Sequence, residues 1–287
     1  MAIVESRMSF LEPWAGKKDG PYVRIKAEES FPRTNFINQE HSVLVRDARL
    51  KKGEFNLDTN GFAFHCCKPF DAQVIDAIRK RDNGLVEEIY YPEIIDVVKQ
   101  KTGANKVIVF DHTYRKRDPR LATTDNPNGR EQPATVVHCD QSTLGAIGRI
   151  KRHAGEDADR LLQGRAQIIN VWRPLNGPVE NWALAVMDYQ SIRYSEIYPT
   201  SIYKERFEIQ GQTVSVNHSA DQKWYYLNRQ TPDEATFIKI WDNKDGVAEM
   251  CPHCAFENPE AATDAQCRES IEVRCLVFYN SSEMSYK

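Results

Sequence analysis

The second half of this chain reads as one short strand after another, and that pattern narrows the fold more than any other feature. Residues 167–172, 182–188, 213–216, 224–227, 236–241 and 271–279 are each rich in β-branched or aromatic side chains and are separated by turn-forming residues. Such runs suit pleated, half-buried surfaces, and a series of them predicts two packed sheets or a barrel. The first half is mixed. Val74, Ile75 and Ile78 share a face in a predicted helix over residues 71–81, with Asp71 placed to cap it. A second predicted helix, over residues 91–102, buries Ile94, Ile95, Val97 and Val98 and ends at Gly103. Short alternating runs between His41 and Lys68, a compact strand over 106–110, another over 134–138 and a helical stretch over 143–164 complete the pattern.

The first forty residues are polar and Pro-punctuated, and are expected to wrap the surface. Residues 118–133, rich in Pro, Asn, Asp, Gly and Thr, read as a mobile loop. The expected architecture is therefore α+β: a β-sandwich or barrel-like core with flanking helices. Residues 1–287 form one domain in this reading, with strands and helices of 1–105 packing on a core of 106–280.

Charge and composition exclude several classes. A formal charge of −3 argues against a protein that grips phosphate backbones, so no nucleic-acid partner is expected. The basic triplet Arg115-Lys116-Arg117 reads as solvated surface. No apolar run approaches the roughly 18 residues of a membrane helix, and the N-terminus lacks a signal-peptide pattern. Seven cysteines, several within apolar runs, fit reduced thiols and a cytoplasmic protein. Oligomeric state is open, and a homo-oligomer is compatible with the sequence. P-loop, dinucleotide-binding and nucleophile-elbow motifs are absent.

The chemistry-bearing feature is His138-Cys139-Asp140 at the end of a predicted strand. Positions i and i+2 of a strand point the same way, so the imidazole and the carboxylate converge. Alone this tripeptide is more often structural. A facial triad of two His and one carboxylate needs a second His, and His253 is the best candidate. Fifteen residues after it comes Arg268-Glu269-Ser270, opening the last strand. Arg268 and Ser270 share a face and together suit a carboxylate, through a charge-assisted fork and a hydroxyl. A distal His followed by Arg-x-Ser is what holding 2-oxoglutarate requires: its keto-acid end on Fe(II), its far carboxylate on Arg268 and Ser270. The alternative for Cys251-Pro-His-Cys254 is structural zinc, which lacks the second cysteine pair it needs.

Four segments carry a resemblance to a known family: His138-Cys-Asp-Gln-Ser142, Ile168-Ile-Asn-Val-Trp-Arg-Pro174, Pro252-His-Cys-Ala-Phe256 and Arg268-Glu-Ser-Ile-Glu-Val-Arg274. Over roughly residues 107–279 the chain resembles the hydroxylase/desaturase proteins of fungal and bacterial natural-product clusters, a group that includes a gibberellin desaturase and a cephem-methoxylation protein. The resemblance implies a double-stranded β-helix (jelly-roll, cupin-like) core and non-haem Fe(II)/2-oxoglutarate dioxygenase chemistry. Arg-x-Ser is shared with penicillin-synthase-like dioxygenases, while Arg268 and Arg274, six apart, also match a two-arginine spacing of another branch. Arg274 is thus open between neutralising Glu272 and meeting the ligand's other end. Arg173, on an apolar strand, reads either as a buried ion pair with Asp188 or as a second carboxylate clamp.

The expected activity uses Fe(II), 2-oxoglutarate and O2 to oxidise an unactivated C–H bond of a small natural product or amino-acid-like compound, by hydroxylation, desaturation or oxidative cyclisation. Two other readings stand beside it: an iron oxidase that takes no 2-oxoglutarate, and a non-catalytic binding protein of the same fold. The substrate pocket is expected to draw on the N-terminal strands, the 118–133 loop and the 189–211 segment, with His112 a further candidate lining residue.

Overall fold

The computed structural model describes residues 2–25, 31–123, 132–204 and 208–280. Strands β1 (Ile3–Leu11), β2 (Tyr22–Ile25), β3 (Asn38–Asp47) and β4 (Phe62–Cys66) precede helices α1 (Ala72–Lys80), α2 (Asn83–Ile89) and α3 (Tyr91–Thr102). β5 (Lys106–Lys116), the two-residue β6 (His138–Cys139), α4 (Thr143–Ala154) and α5 (Ala158–Leu162) follow. The rest is strand: β7 (Ala166–Pro174), β8 (Ala183–Met187), β9 (Ile197–Lys204), β10 (Glu208–Val216), β11 (Trp224–Tyr226), β12 (Glu234–Asp242), β13 (His253–Phe256) and β14 (Glu269–Phe278).

These strands make a nine-stranded sheet, β1-β3-β11-β8-β13-β6-β10-β9-β2, and a five-stranded sheet, β4-β12-β7-β14-β5. The two stack as a jelly roll around one apolar core that includes Met8, Phe10, Phe62, Trp224, Phe256 and Phe278. A second core lies on the other face of the five-stranded sheet. There Val74 and Ile78 of α1 and Ile94 and Val98 of α3 meet Ile169, Val171, Val273 and Val277. β7 is therefore buried along its whole length, and β14 almost so. Each strand sends alternate residues to different neighbours: Ile168 and Trp172 to the inter-sheet core, Ile169 and Val171 to the helices. That alternation decides which polar side chains can reach a shared cavity.

Local signals were realised at both predicted helices. The Asp71 carboxylate accepts from the Gln73 amide at 2.8 Å, and Gly103, at φ 74°, closes α3 with its N–H on the Lys99 carbonyl at 2.9 Å. Three expectations change. The N-terminal residues do not simply wrap the surface, because β1 pairs with β3 along its full length. Val4, Ser6, Met8 and Phe10 form its buried face. Ser6 disguises that alternation in the sequence, and its hydroxyl donates to the Glu257 carbonyl at 2.6 Å. The helical stretch over 143–164 is broken at Gly155, whose φ of 56° and ψ of −131° no ordinary helical residue adopts. The strand over 134–138 shrinks to β6, preceded by a single bridge from Val136 to Ser9. Of the proposed mobile loop, residues 124–131 lie outside the described residues.

α4 starts immediately after Asp140 and is fastened to β10. The Ser142 hydroxyl accepts from the Gly145 amide at 3.2 Å and donates to the Gln212 side-chain carbonyl at 2.7 Å. The contact is so close that a Cβ on Gly145 would lie 2.3 Å from the Gln212 backbone oxygen. Gly145→Ala is accordingly expected to cost about 1–3 kcal/mol of stability. Its urea midpoint should fall with the slope unchanged, and an unchanged midpoint would contradict this packing.

Candidate metal centre

β6 runs between β13 and β10 in the larger sheet, and its register places His138 directly opposite His253. Cross-strand partners point to the same face, so residues 115 positions apart become neighbours. The two rings lie 4.7 Å apart, centroid to centroid. Asp140 follows two residues after His138, with its Oδ1 3.3 Å from His138 Nε2. One ligand atom from each of the three residues lies within 4.8 Å of the others. Among the described residues this is the one such group of three or more His, Cys, Asp or Glu side chains.

Backbone carbonyls set how both imidazoles are presented. His138 Nδ1 lies 2.8 Å from the Val136 oxygen, and His253 Nδ1 lies 3.0 Å from the Cys251 oxygen, each two residues back along the chain. A carbonyl only accepts, so each Nδ1 carries a proton and each ring turns its Nε2 toward the shared point. Burial and the neighbouring His138 ring push the pKa of His253 down, which favours its neutral, ligating form. Burial most strongly opposes a charge on His138, but the hydrogen bond and charge of Asp140, with the Val136 carbonyl and Glu272, together outweigh it and raise that pKa. Asp140 is buried, which disfavours its charge, yet Arg274 and His138 hold it well below the usual carboxylate range. Two neutral nitrogens and one anionic oxygen suit a divalent first-row metal. The donors converge without rearrangement, so the residues present fit such an ion.

Arg268, Ser270, Glu272 and Arg274 all face this cavity, as the alternation of β14 requires. The two arginines differ sharply in their partners. Arg274 donates from Nε to Asp140 Oδ2 at 2.9 Å and from Nη2 to Glu272 Oε1 at 2.8 Å. Its Nη1 reaches Thr113 Oγ1 at 2.8 Å and Asp111 Oδ2 at 3.3 Å. Every nitrogen of Arg274 is engaged, so this guanidinium stands behind the carboxylate ligand rather than ready for a second anion.

Arg268 is 3% exposed, donates to the Trp182 carbonyl, and stacks at 5.4 Å from the Trp172 ring. It has no carboxylate partner among the described residues, and its buried Nε has no hydrogen-bond partner at all. Burial and the nearby Arg115 pull its pKa down to about 9. A desolvated cation of this kind lacks a counter-charge, and an anion entering the cavity would supply one.

Two candidates from the sequence lie elsewhere. Arg173 occupies the opposite face of β7 from Asn170 and Trp172, inside the helix layer. Its partner is Glu93 at 3.2 Å, not Asp188, and it also donates to the Lys68 and Pro232 carbonyls over the Phe70 ring. Asp188 instead accepts from Asn60 and from the Gln190 amide. Strand period is the reason: an odd-numbered residue of β7 cannot share a cavity with the even-numbered ones. His112 likewise faces the helices, its Nδ1 2.8 Å from the Tyr91 hydroxyl.

The remaining cavity walls come from β5, β7, β8 and β13, through Thr113, Arg115, Trp172, Leu184 and Ala255, and no described residue of the N-terminal strands or of the 189–211 segment lines it. Arg115, expected at the surface, turns inward and donates to the Gln132 carbonyl at 2.9 Å. Its signal was the continuation of the Thr113-x-Arg115 alternation past the end of the apolar run. Cys251 and Cys254 are buried and burial pushes both thiols up, against the thiolate form that zinc sites use.

The family described as "Oxidoreductase/YMDC permease-like domain" matches residues 8–278. No helix among the described residues is long and apolar enough to cross a membrane. Aspirochlorine biosynthesis protein N of Aspergillus oryzae is 57% identical over 144 residues, a stretch that is 50% of this chain and 60% of that protein. The Fe(II)/2-oxoglutarate-dependent dioxygenase nvfI of Aspergillus novofumigatus is 37% identical over 274 residues, covering 96% of each chain. The hydroxylase/desaturase efuI of Hormonema carpetanum is 34% identical over 84% of each. A solved structure of the iron and alpha-ketoglutarate-dependent endoperoxidase NvfI superposes with a TM-score of 0.87 at 35% identity, over 97% of this chain and 98% of that one.

The position of Arg173 yields a direct test. Arg173→Met leaves the buried Glu93 carboxylate with only the exposed Lys68 ammonium, 3.2 Å away, and removes the donor from the Lys68 and Pro232 carbonyls, so it is expected to cost about 3 kcal/mol. Metal affinity of the folded protein should be unchanged, because Arg173 does not reach the cavity. A denaturation curve and a metal titration on the same variant check both halves, and weakened metal binding without lost stability would contradict this placement.

Proposed function

The chain belongs to the hydroxylase/desaturase group of Fe(II)/2-oxoglutarate-dependent oxygenases, and we propose that it oxidises an unactivated C–H bond of a small natural product with His138, Asp140 and His253 as the iron ligands. Iron, with 2-oxoglutarate and O2 as cosubstrates, supplies the oxidising equivalents that this reaction needs. The protein's part is binding, orientation and exclusion of water. His138 and His253 both turn Nε2 toward the metal position; His253 favours its neutral form, whereas His138, when a metal binds, gives up the proton that Asp140 favours. Arg268 and Ser270 receive the far carboxylate of 2-oxoglutarate. Trp172, Leu184 and Ala255 close the cavity with apolar surface, which strengthens each charge interaction inside it.

The single observation that carries this function is Arg268. A buried guanidinium with an unpartnered Nε, in the same cavity as the triad, is the charge complement of a dicarboxylate whose other end reaches the metal. Arg274 is left to support Asp140 and Glu272. A substrate-donated electron supply without 2-oxoglutarate would give this cation nothing to do. The relatives are named as hydroxylase/desaturase, dioxygenase and endoperoxidase. Different outcomes on similar chains fit a division in which the ligands set the oxidant and the remaining walls set where the substrate lies. All seven cysteines are free, which supports a cytoplasmic setting.

Anaerobic addition of Fe(II) and 2-oxoglutarate is expected to give a weak visible charge-transfer band, and O2 should then release succinate. Neither signal, in the presence of candidate substrates, would favour a non-catalytic binding protein. Arg268→Ala removes a charge-assisted contact of about 1.5–3 kcal/mol, so the apparent KM for 2-oxoglutarate should rise roughly 10- to 150-fold with iron retained. Substrate oxidation without succinate release, left nearly intact by Arg268→Ala, would point to an oxidase that uses no 2-oxoglutarate.

A further inference from the structure

Asp140 has two carboxylate oxygens, and the structure treats them differently. Oδ1 faces His138 Nε2 at 3.3 Å, on the side where the three ligand atoms converge. Oδ2 accepts two hydrogen bonds, from Asn170 Nδ2 at 2.9 Å and from Arg274 Nε at 2.9 Å. A carboxylate oxygen has two in-plane lone pairs, so Oδ2 is fully used by protein donors. The donors come from adjacent strands of the smaller sheet, where Asn170 of β7 is paired in register with Arg274 of β14.

Asn170 shows in a second way that its donor is what the site requires. It is completely buried, and its own Oδ1 has no hydrogen-bond partner. Leaving a buried acceptor unmet costs about 1–3 kcal/mol. Turning the amide over would set that oxygen against Oδ2 of Asp140, so the orientation is dictated by the carboxylate. An amide serving only as internal packing would be replaceable by an apolar side chain at no such cost. Arg274 is in turn held by Glu272, Asp111 and Thr113, so its Nε cannot swing away.

Resting on the metal-centre reading above, we propose that Asn170 and Arg274 are positioning residues that confine Asp140 to one ligating oxygen, Oδ1. Binding the metal through both oxygens would require breaking two hydrogen bonds, one of them charge-assisted. The clamp therefore keeps for the cosubstrates a coordination position that a two-oxygen carboxylate would fill.

Co(II), which is stable in air, is the probe. It is titrated into metal-free wild type, Asn170→Leu and Arg274→Lys, with the visible absorption of bound Co(II) reporting coordination number and a thermal melt reporting stability of each apoprotein. Asn170→Leu keeps the volume and removes the donor, and Arg274→Lys keeps the charge and removes the Nε contact. Each is expected to weaken Co(II) binding roughly 10- to 100-fold and to change the absorption intensity. A wild-type Kd and spectrum in the variants, whatever their melting temperatures, would overturn the clamp, since a purely structural role moves only the melt. If Asn170→Leu does not fold, Arg274→Lys is read by the same criteria. Failure of wild type to bind Co(II) would instead sink the metal centre itself, and the clamp with it.

Discussion

Arg274 is the cation on which the centre depends. One guanidinium, largely buried between the sheets, touches Asp140, Glu272 and Asp111. Without it Asp140 and Glu272 would be like charges sharing a low-dielectric cavity, and burial would drive at least one of them to take up a proton. With it Asp140 stays ionised although it is mostly shielded from water. An ionised Asp140 in turn favours charge on His138, so the electrostatics of the whole ligand set follow from one strand residue.

That residue is where it is because β14 serves two layers. Its odd-numbered side chains, Ile271, Val273, Cys275 and Val277, fill the core against the helices. Its even-numbered ones begin as Arg268, Ser270, Glu272 and Arg274 along the cavity and finish as Leu276 and Phe278 in the inter-sheet core. A strand buried on both faces is expensive to line with charge unless every charge is matched. Every nitrogen of Arg274 has an acceptor, whereas Nε of Arg268 has none. The cavity is thus polarised, with carboxylates near the histidines and guanidinium groups, Arg268 and Arg115, farther along. A dianion reaching from the histidine end to Arg268 would meet the Nε that the protein leaves without a partner.

The larger sheet makes a different contribution. It brings His138 and His253 together through strand register alone, in a β6 only two residues long. So short a strand would not hold its place by its own pairing. It is held by β10 and β13 on either side and by α4, which docks on β10 directly after Asp140. Rigidity at the ligands comes from neighbours that have no part in the chemistry.

Local rules read from residue order were enough for the helices capped at Asp71 and closed at Gly103 and for most strands of the second half, and they singled out His138, Asp140, His253, Arg268 and Ser270, which the fold gathers along one cavity. Helices, strands and the short motifs depend on spacings of two or of 3.6 or on members close in the chain, whereas the meeting of His138 with His253 depends on strand register. What the sequence could not decide was which side of a strand meets which layer. Period two separates Arg173 from Trp172, yet nothing in residue order says that Trp172 faces the other sheet and Arg173 the helices. For the same reason Arg115 read as surface, and Asn170 passed as an ordinary polar residue in an apolar run. The β1 strand was masked by Ser6, whose hydroxyl is satisfied only by a carbonyl 251 residues away. Residue order determined the chemical inventory of this protein. Only the stacking of two sheets and a helix layer decided which charges share a cavity, because burial and pairing are properties of faces brought together from distant parts of the chain.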